Sequence, residues 1–220
     1  KRGKEESLLR FHPWIFSGAI ARLPEGLEEG EKVIVNTSDG RVIGVGHFQI
    51  GSIAVRMLSR DVVPIDFDFY SGRIRAAFAL RKALGLFNPP VNTSFRLVHG
   101  EGDFLPGLIV DVYGETAVLQ AHSPGMHFDR DVIARVLVDL EGAGIKNVYY
   151  KSETTLPFKA RLDPVNDYII GSYSTNIAIE NGLQFHVDWL KGQKTGFFID
   201  QRDNRSLLQH YSEGRTVLNM

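Results

Sequence analysis

The 220-residue chain has no cysteine. That excludes a disulfide framework, fits a reducing compartment and removes any thiol nucleophile from these residues. No apolar run approaches a bilayer span and no secretory leader is visible, so the expectation is a cytoplasmic protein with no membrane partner. Charge of one sign is not in excess either. The 25 Lys and Arg face 26 Asp and Glu, a formal net charge of −1, so any anionic partner must be met by a local patch. Long repeats and low-complexity tracts are missing. Lys1 stands where a natural start would have methionine, which suggests a trimmed N-terminus.

What is present suffices for a core. Hydrophobic residues make up 43%, and the length of 220 residues allows one large domain or two modest ones. Short strands are expected at Ala19 to Arg22, Lys32 to Asn36, Arg41 to Phe48 and Ser52 to Leu58, with a hairpin at Asp39-Gly40. Close strands with frequent glycine suggest a small barrel, in which Gly44 and Gly46 relieve crowding. Beyond Val63-Pro64, Ile74, Ala77, Phe78, Arg81 and Leu84 share a helical face that Gly85 can cap. Strands follow at Phe95 to Val98, Leu108 to Val112, Thr116 to Ala121 and Val148 to Lys151. Asp129 is expected to cap a helix that buries Val132, Ile133, Val136, Leu137 and Leu140. Thr175 to Ile179 and Leu183 to Val187 flank a second hairpin signal. Ser206 to Tyr211 read as helix and Thr216 to Met220 as the start of a buried strand.

Most chemical signatures fail on inspection. Gly44-Val45-Gly46-His47 lacks the third glycine and the helix of a dinucleotide loop, and Gly192-Gln193-Lys194-Thr195 is not a Walker loop. His122 and His127 have no ligand partners at metal spacing and read as loop histidines, so no metal is expected. Glu101 and Asp103, beside Pro106-Gly107, read as a structural turn. At the N-terminus, Lys1, Arg2, Lys4 and Arg10 accompany His12 and Trp14. Cations beside a ring suit an RNA chain, while a solvated terminus with Trp14 in the core is the plainer alternative. The densest polar stretch is Gly192 to Arg205. It places Arg202 and Arg205 in the first turn of a helix, where cations are disfavoured. They call for a partner, either an acidic group or an anionic ligand.

Three ordered blocks resemble the RlmI-like RNA methyltransferases: Ser7 to Ile20, Glu101 to Gly114, and Gly192 to Arg205 followed by Val217-Leu218-Asn219. The resemblance implies an α+β chain of three parts. These are a PUA RNA-binding barrel (1–66), a central mixed α/β domain (67–190) and the start of a Rossmann-like methyltransferase domain (191–220). It implies S-adenosylmethionine as cofactor of the intact protein, ribosomal RNA as partner, cytosine C5 as the target and a homodimer partly built from Leu183 to Phe198. On this reading Phe198, Asp200, Gln201 and Arg202 approach the cofactor, and Lys1, Arg2, Lys4, Arg10, His12, Trp14 and Lys194 meet RNA. The family's catalytic cysteine, Gly-rich cofactor loop and Asp-Pro-Pro segment have no counterpart here, so no catalytic residue falls within this chain. A non-catalytic RNA-binding fragment and an interaction module are the alternatives.

Overall fold

The structure, a computed structural model, describes residues 1, 3–157, 160–173 and 175–218. Arg2 and the Asn219-Met220 end of the expected last strand lie outside the described residues.

The N-terminal part is an antiparallel sheet behind one helical turn, α1 (Glu6–Leu9). Its strands are β1 (Trp14–Phe16), β2 (Lys32–Asn36), β3 (Val42–Phe48) and β4 (Ile53–Ser59), in the order β1-β4-β3-β2. Leu8, Ile15, Phe48, Val55 and Met57 form its core. The Gly44 and Gly46 expectation holds. A Cβ at Gly44 would lie 2.0 Å from the Ser59 carbonyl oxygen, and one at Gly46 2.3 Å from that of Arg56. The strand expected at Ala19 to Arg22 does not form. Ala19 closes a 3-10 turn, and nearby Pro24 can donate nothing to a ladder. The first strand is instead β1, which pairs with β4.

Helix α2 (Phe67–Ala83) begins at Asp66, whose carboxylate accepts from the amides of Asp68 and Phe69. It ends in a left-handed Gly85. Ile74, Ala77, Phe78 and Arg81 are buried as expected, but Leu84 is exposed because it sits at the C-cap beyond the packed face.

The central sheet runs β5 (Ser94–His99), β6 (Leu108–Tyr113), β7 (Thr116–Ala121), β8 (Asn147–Tyr150), β9 (Asp167–Ile170) in that order. All neighbours are antiparallel except β7 and β8. Two helices, α3 (Pro124–Phe128) and α4 (Arg130–Val138), make the crossover that the parallel pair needs. His127 therefore lies in a helix rather than a loop. Its Nδ1 lies 2.6 Å from the Tyr150 hydroxyl.

Period-two alternation gives the sheet two different faces. Phe95, Leu97, Val110, Val112, Ala117, Leu119 and Val148 pack against α2 and α4. Arg96, Asp111, Tyr113, Val118, Gln120 and Tyr149 point the other way. That second face is covered by the hairpin β10 (Ile177–Glu180) and β11 (Leu183–His186) together with Val187, Trp189 and Phe197. Helix α5 (Arg202–Ser212) follows and buries no residue. Residues 216–218 are not a strand: Val217 and Leu218 are exposed, and no described strand pairs with them.

Asp129 also departs from expectation. Its side chain caps no amide. It accepts instead from Tyr70 Oη (2.6 Å) and His47 Nε2 (3.1 Å), with Lys32 Nζ at 3.0 Å. A carboxylate only accepts, so the His47 proton sits on Nε2. One acid thus joins β2 and β3 to α2 and α4.

Candidate functional site

The segment Gly192 to Arg205 lies on the second face of the central sheet, held there by polar residues that the alternation of β5 to β7 turns away from the helices. Arg96 makes a bidentate pair with Asp111, Nε to Oδ1 and Nη2 to Oδ2 both at 2.8 Å. Thr195 Oγ1 donates to Asp111 Oδ2 (2.6 Å) and accepts from the Tyr113 hydroxyl (2.9 Å). Asp111 and Thr195 are fully buried, so the carboxylate is satisfied by two donors rather than by water. Burial and the Asp111 charge push the Tyr113 hydroxyl well above the usual phenol range. Hydrogen bonding to Asp111 raises the Arg96 guanidinium further. Lys151 Nζ holds the Gly192 carbonyl at 2.5 Å, and Gln120 reaches that of Lys194.

The two arginines in the first turn of α5 find an acidic group within the chain. Glu180, on β10, is 2% exposed, and it takes Arg205 through Nε and Nη2, both at 2.7 Å. Arg202 Nε lies 3.5 Å from the same carboxylate, and Arg202 Nη2 donates to the Ser94 carbonyl. Arg205 also sits over the Phe197 ring, 4.3 Å from its centroid. The helix start is therefore pinned to the hairpin and to β5.

This frame presents the expected cofactor-facing residues outward. Phe198, Asp200 and Gln201 are exposed, and Lys194 Nζ lies 4.7 Å from the Phe198 ring centroid. The Gln201 side chain bonds to its neighbours Asp200 and Asn204. Arg202 is the inward member of the set. A cleft of about 360 Å³ opens beside it, lined by Leu80, Leu84, Phe95, Arg96 and His99.

The expected RNA-facing residues of the N-terminus lie apart, beside the N-terminal sheet. Lys1, Lys4 and Arg10 are exposed, Arg10 with Glu6 at 3.8 Å. His12 Nδ1 accepts from the Trp14 amide. Trp14 is neither core nor free: half-buried, it donates from Nε1 to Glu101 Oε1 at 2.8 Å, across the junction with the central sheet. Among the described residues no hydrogen bond, ion pair or ring contact joins this group to Lys194. Asp103 is structural as expected, clamped by Arg81 at 2.5 and 2.7 Å. No cluster that could hold a metal ion occurs among the described residues. Asp111 and Glu180 were missed by sequence reasoning, and Thr195 entered it only as part of the stretch Gly192 to Arg205. Their partners lie 15 to 84 residues away, and the one local signal was the out-of-place arginine pair.

The chain is similar to known proteins along nearly its whole length. The family described as PUA-like domain matches residues 1–60. A ribosomal RNA large subunit methyltransferase I from Alteromonas mediterranea is 36% identical over 219 residues, covering 98% of this chain and 54% of that protein. Its counterpart from Shewanella amazonensis is 38% identical over 225 residues, covering 100% and 55%. A candidate SAM-dependent methyltransferase from Streptococcus mutans shares the fold, with a TM-score of 0.77 at 20% identity, over 96% of this chain and 53% of that one. A second solved structure, of a candidate methyltransferase in complex with SAH, gives 0.75 at 20% identity over 93% and 51%. The chain is thus homologous, along almost all its residues, to about half the length of the proteins named ribosomal RNA large subunit methyltransferase I.

Proposed function

We propose that the chain is the RNA-holding and cofactor-approach part of an S-adenosylmethionine-dependent methyltransferase of large-subunit ribosomal RNA. The similarity along the whole chain to proteins of that name carries the reading. The proposed division is a barrel at 1–66, a central layer at 67–190 and a cofactor-side segment at 191–220. Cytosine C5 is the proposed target, the cytoplasm the proposed location, and a homodimer with part of its interface in the segment Leu183 to Phe198, where Leu183 is exposed, the proposed assembly.

The residues present fit the amino acid end of the cofactor. An exposed carboxylate at Asp200 suits its ammonium, and the Gln201 amide suits its carboxylate. Phe198 offers an apolar wall. Arg202, engaged by Glu180 and Ser94, orients this set from behind. The cofactor supplies an electrophilic methyl group when bound. A thiolate that would activate a cytosine ring is absent from these 220 residues, so these side chains hold and orient rather than attack. The target base must leave its stack to be reached, which favours a protein that grips RNA separately.

The test is methyl transfer from isotopically labelled S-adenosylmethionine to large-subunit RNA by the intact gene product, with the nucleosides resolved by mass. 5-Methylcytidine is the expected product. A different methylated nucleoside would overturn the C5 assignment, and no transfer would overturn the enzyme reading. Gln201→Ala should weaken cofactor affinity without lowering the melting temperature.

A further inference from the structure

Two phenylalanines stand where glycine costs least. Helix α1 ends with the Phe11 amide on the Leu8 carbonyl and the His12 amide on that of Ser7. The 3-10 helix Gly100–Asp103 ends the same way, Phe104 on Glu101 and Leu105 on Gly100. This is the pattern of a Schellman ending, whose left-handed residue is usually glycine. Helix α2 closes with the same two bonds, from Gly85 and Leu86, and there the residue is glycine. Phe11 has φ 65° and Phe104 φ 58°, and they are 77% and 66% exposed. A bulky ring in that conformation is strained, and neither ring is repaid by burial.

Each ring carries an arginine. The Arg60 guanidinium lies 5.3 Å from the Phe11 centroid, and Arg73 lies 5.3 Å from Phe104. Both arginines are anchored near the end of β4. Arg60 donates to the His12 carbonyl at 3.1 Å, and Arg73 to that of Leu58 at 3.3 Å. Trp14, bonded to Glu101, ties together the two loops that carry the rings. The barrel–sheet junction is therefore edged by two solvent-facing rings, each flanked by a guanidinium.

We infer that Phe11 and Phe104, with Arg60 and Arg73, form a strip that stacks the bases of single-stranded RNA across the junction. Every base has a π face that a ring can take, and the arginines meet the phosphates between them. A protein partner would be expected to bury such rings in a pocket, whereas here a cation already shares each ring, as suits a polyanion. The inference rests on the proposed RNA function and names where the strand lies.

Anisotropy of a labelled single-stranded RNA of about a dozen nucleotides, titrated with the 220-residue chain, tests it. Phe11→Gly and Phe104→Gly should each weaken binding roughly fivefold or more while the melting temperature holds or rises. Arg60→Gln and Arg73→Gln should each flatten the dependence of log affinity on log salt by about 0.7. Binding by the parent chain that is unchanged in the glycine variants would overturn the strip and leave the RNA reading standing. No RNA binding by the parent chain would overturn both. A large fall in melting temperature for the glycine variants would show that the rings serve the fold, and would also overturn the strip.

Discussion

At the scale of single residues, the carboxylates of Asp111 and Glu180 and the Thr195 hydroxyl are buried and hydrogen-bonded. Glu180 answers two guanidiniums from a 2% exposed position. Removing only its charge leaves both arginines facing a neutral amide in a half-buried setting. Glu180→Gln should therefore destabilise the chain by about 3 kcal/mol, read as a lower urea midpoint. A change within experimental error would mean that water already screens the pair. Thr195→Val keeps the shape but removes a donor from Asp111 and the acceptor of the Tyr113 hydroxyl. A loss of about 2 kcal/mol is expected. In the intact enzyme, cofactor affinity should fall too, because Thr195 fixes the turn that presents Phe198. Unaltered affinity in a destabilised variant would separate the Thr195 network from the cofactor side.

Among the elements, those that carry their own signal were legible. Thr116 to Ala121 is strand as expected, and Asn181-Gly182 turns the expected hairpin. The face of α2 was readable because Ile74, Ala77, Phe78 and Arg81 recur at helical spacing. Among the elements that were missed, β1 has three residues and buries only Ile15, and its partner β4 lies some 40 residues on, so nothing local announces it; β9 and the short helix α3 were not anticipated either. The polar face of the central sheet was hidden for a related reason. Arg96, Asp111 and Gln120 look like ordinary exposed strand residues until a second layer covers them. Helix α5 was readable as helix but not in its packing, since Leu207, Leu208 and Tyr211 remain exposed. Its hold on the molecule is its first turn. Hydrogen exchange should therefore show Leu207 to Ser212 near the unprotected limit while the amides of Ile74 to Arg81 persist far longer. Comparable protection in both helices would mean that α5 is covered in solution.

For the whole molecule, the question is what holds the barrel to the central layer, and the contacts converge on Asp129. Gly125 lets the layers close, since a Cβ there would lie 2.1 Å from the His47 ring. Burial alone would raise the Asp129 carboxyl, but hydrogen bonds from His47, Tyr70 and Lys32 hold it below the ordinary carboxylate value. A folded-state value below the unfolded one, about 3.9, means the carboxylate contributes stability that is complete above that pH. The contribution disappears as pH falls through the lower folded value. Asp129→Asn retains the volume but not the charge facing Lys32. Its deficit against the parent chain should thus be largest at neutral pH and should shrink as pH drops below about 4. Because the acid joins two layers, the barrel should also separate from the central layer at lower urea in the variant. The Trp14 fluorescence transition would then come ahead of the far-ultraviolet circular dichroism transition, provided the Trp189 signal is removed by Trp189→Phe. A deficit of the same size at pH 3 and pH 7, with the two transitions coincident, would show that Asp129 serves packing alone and that the junction is held elsewhere.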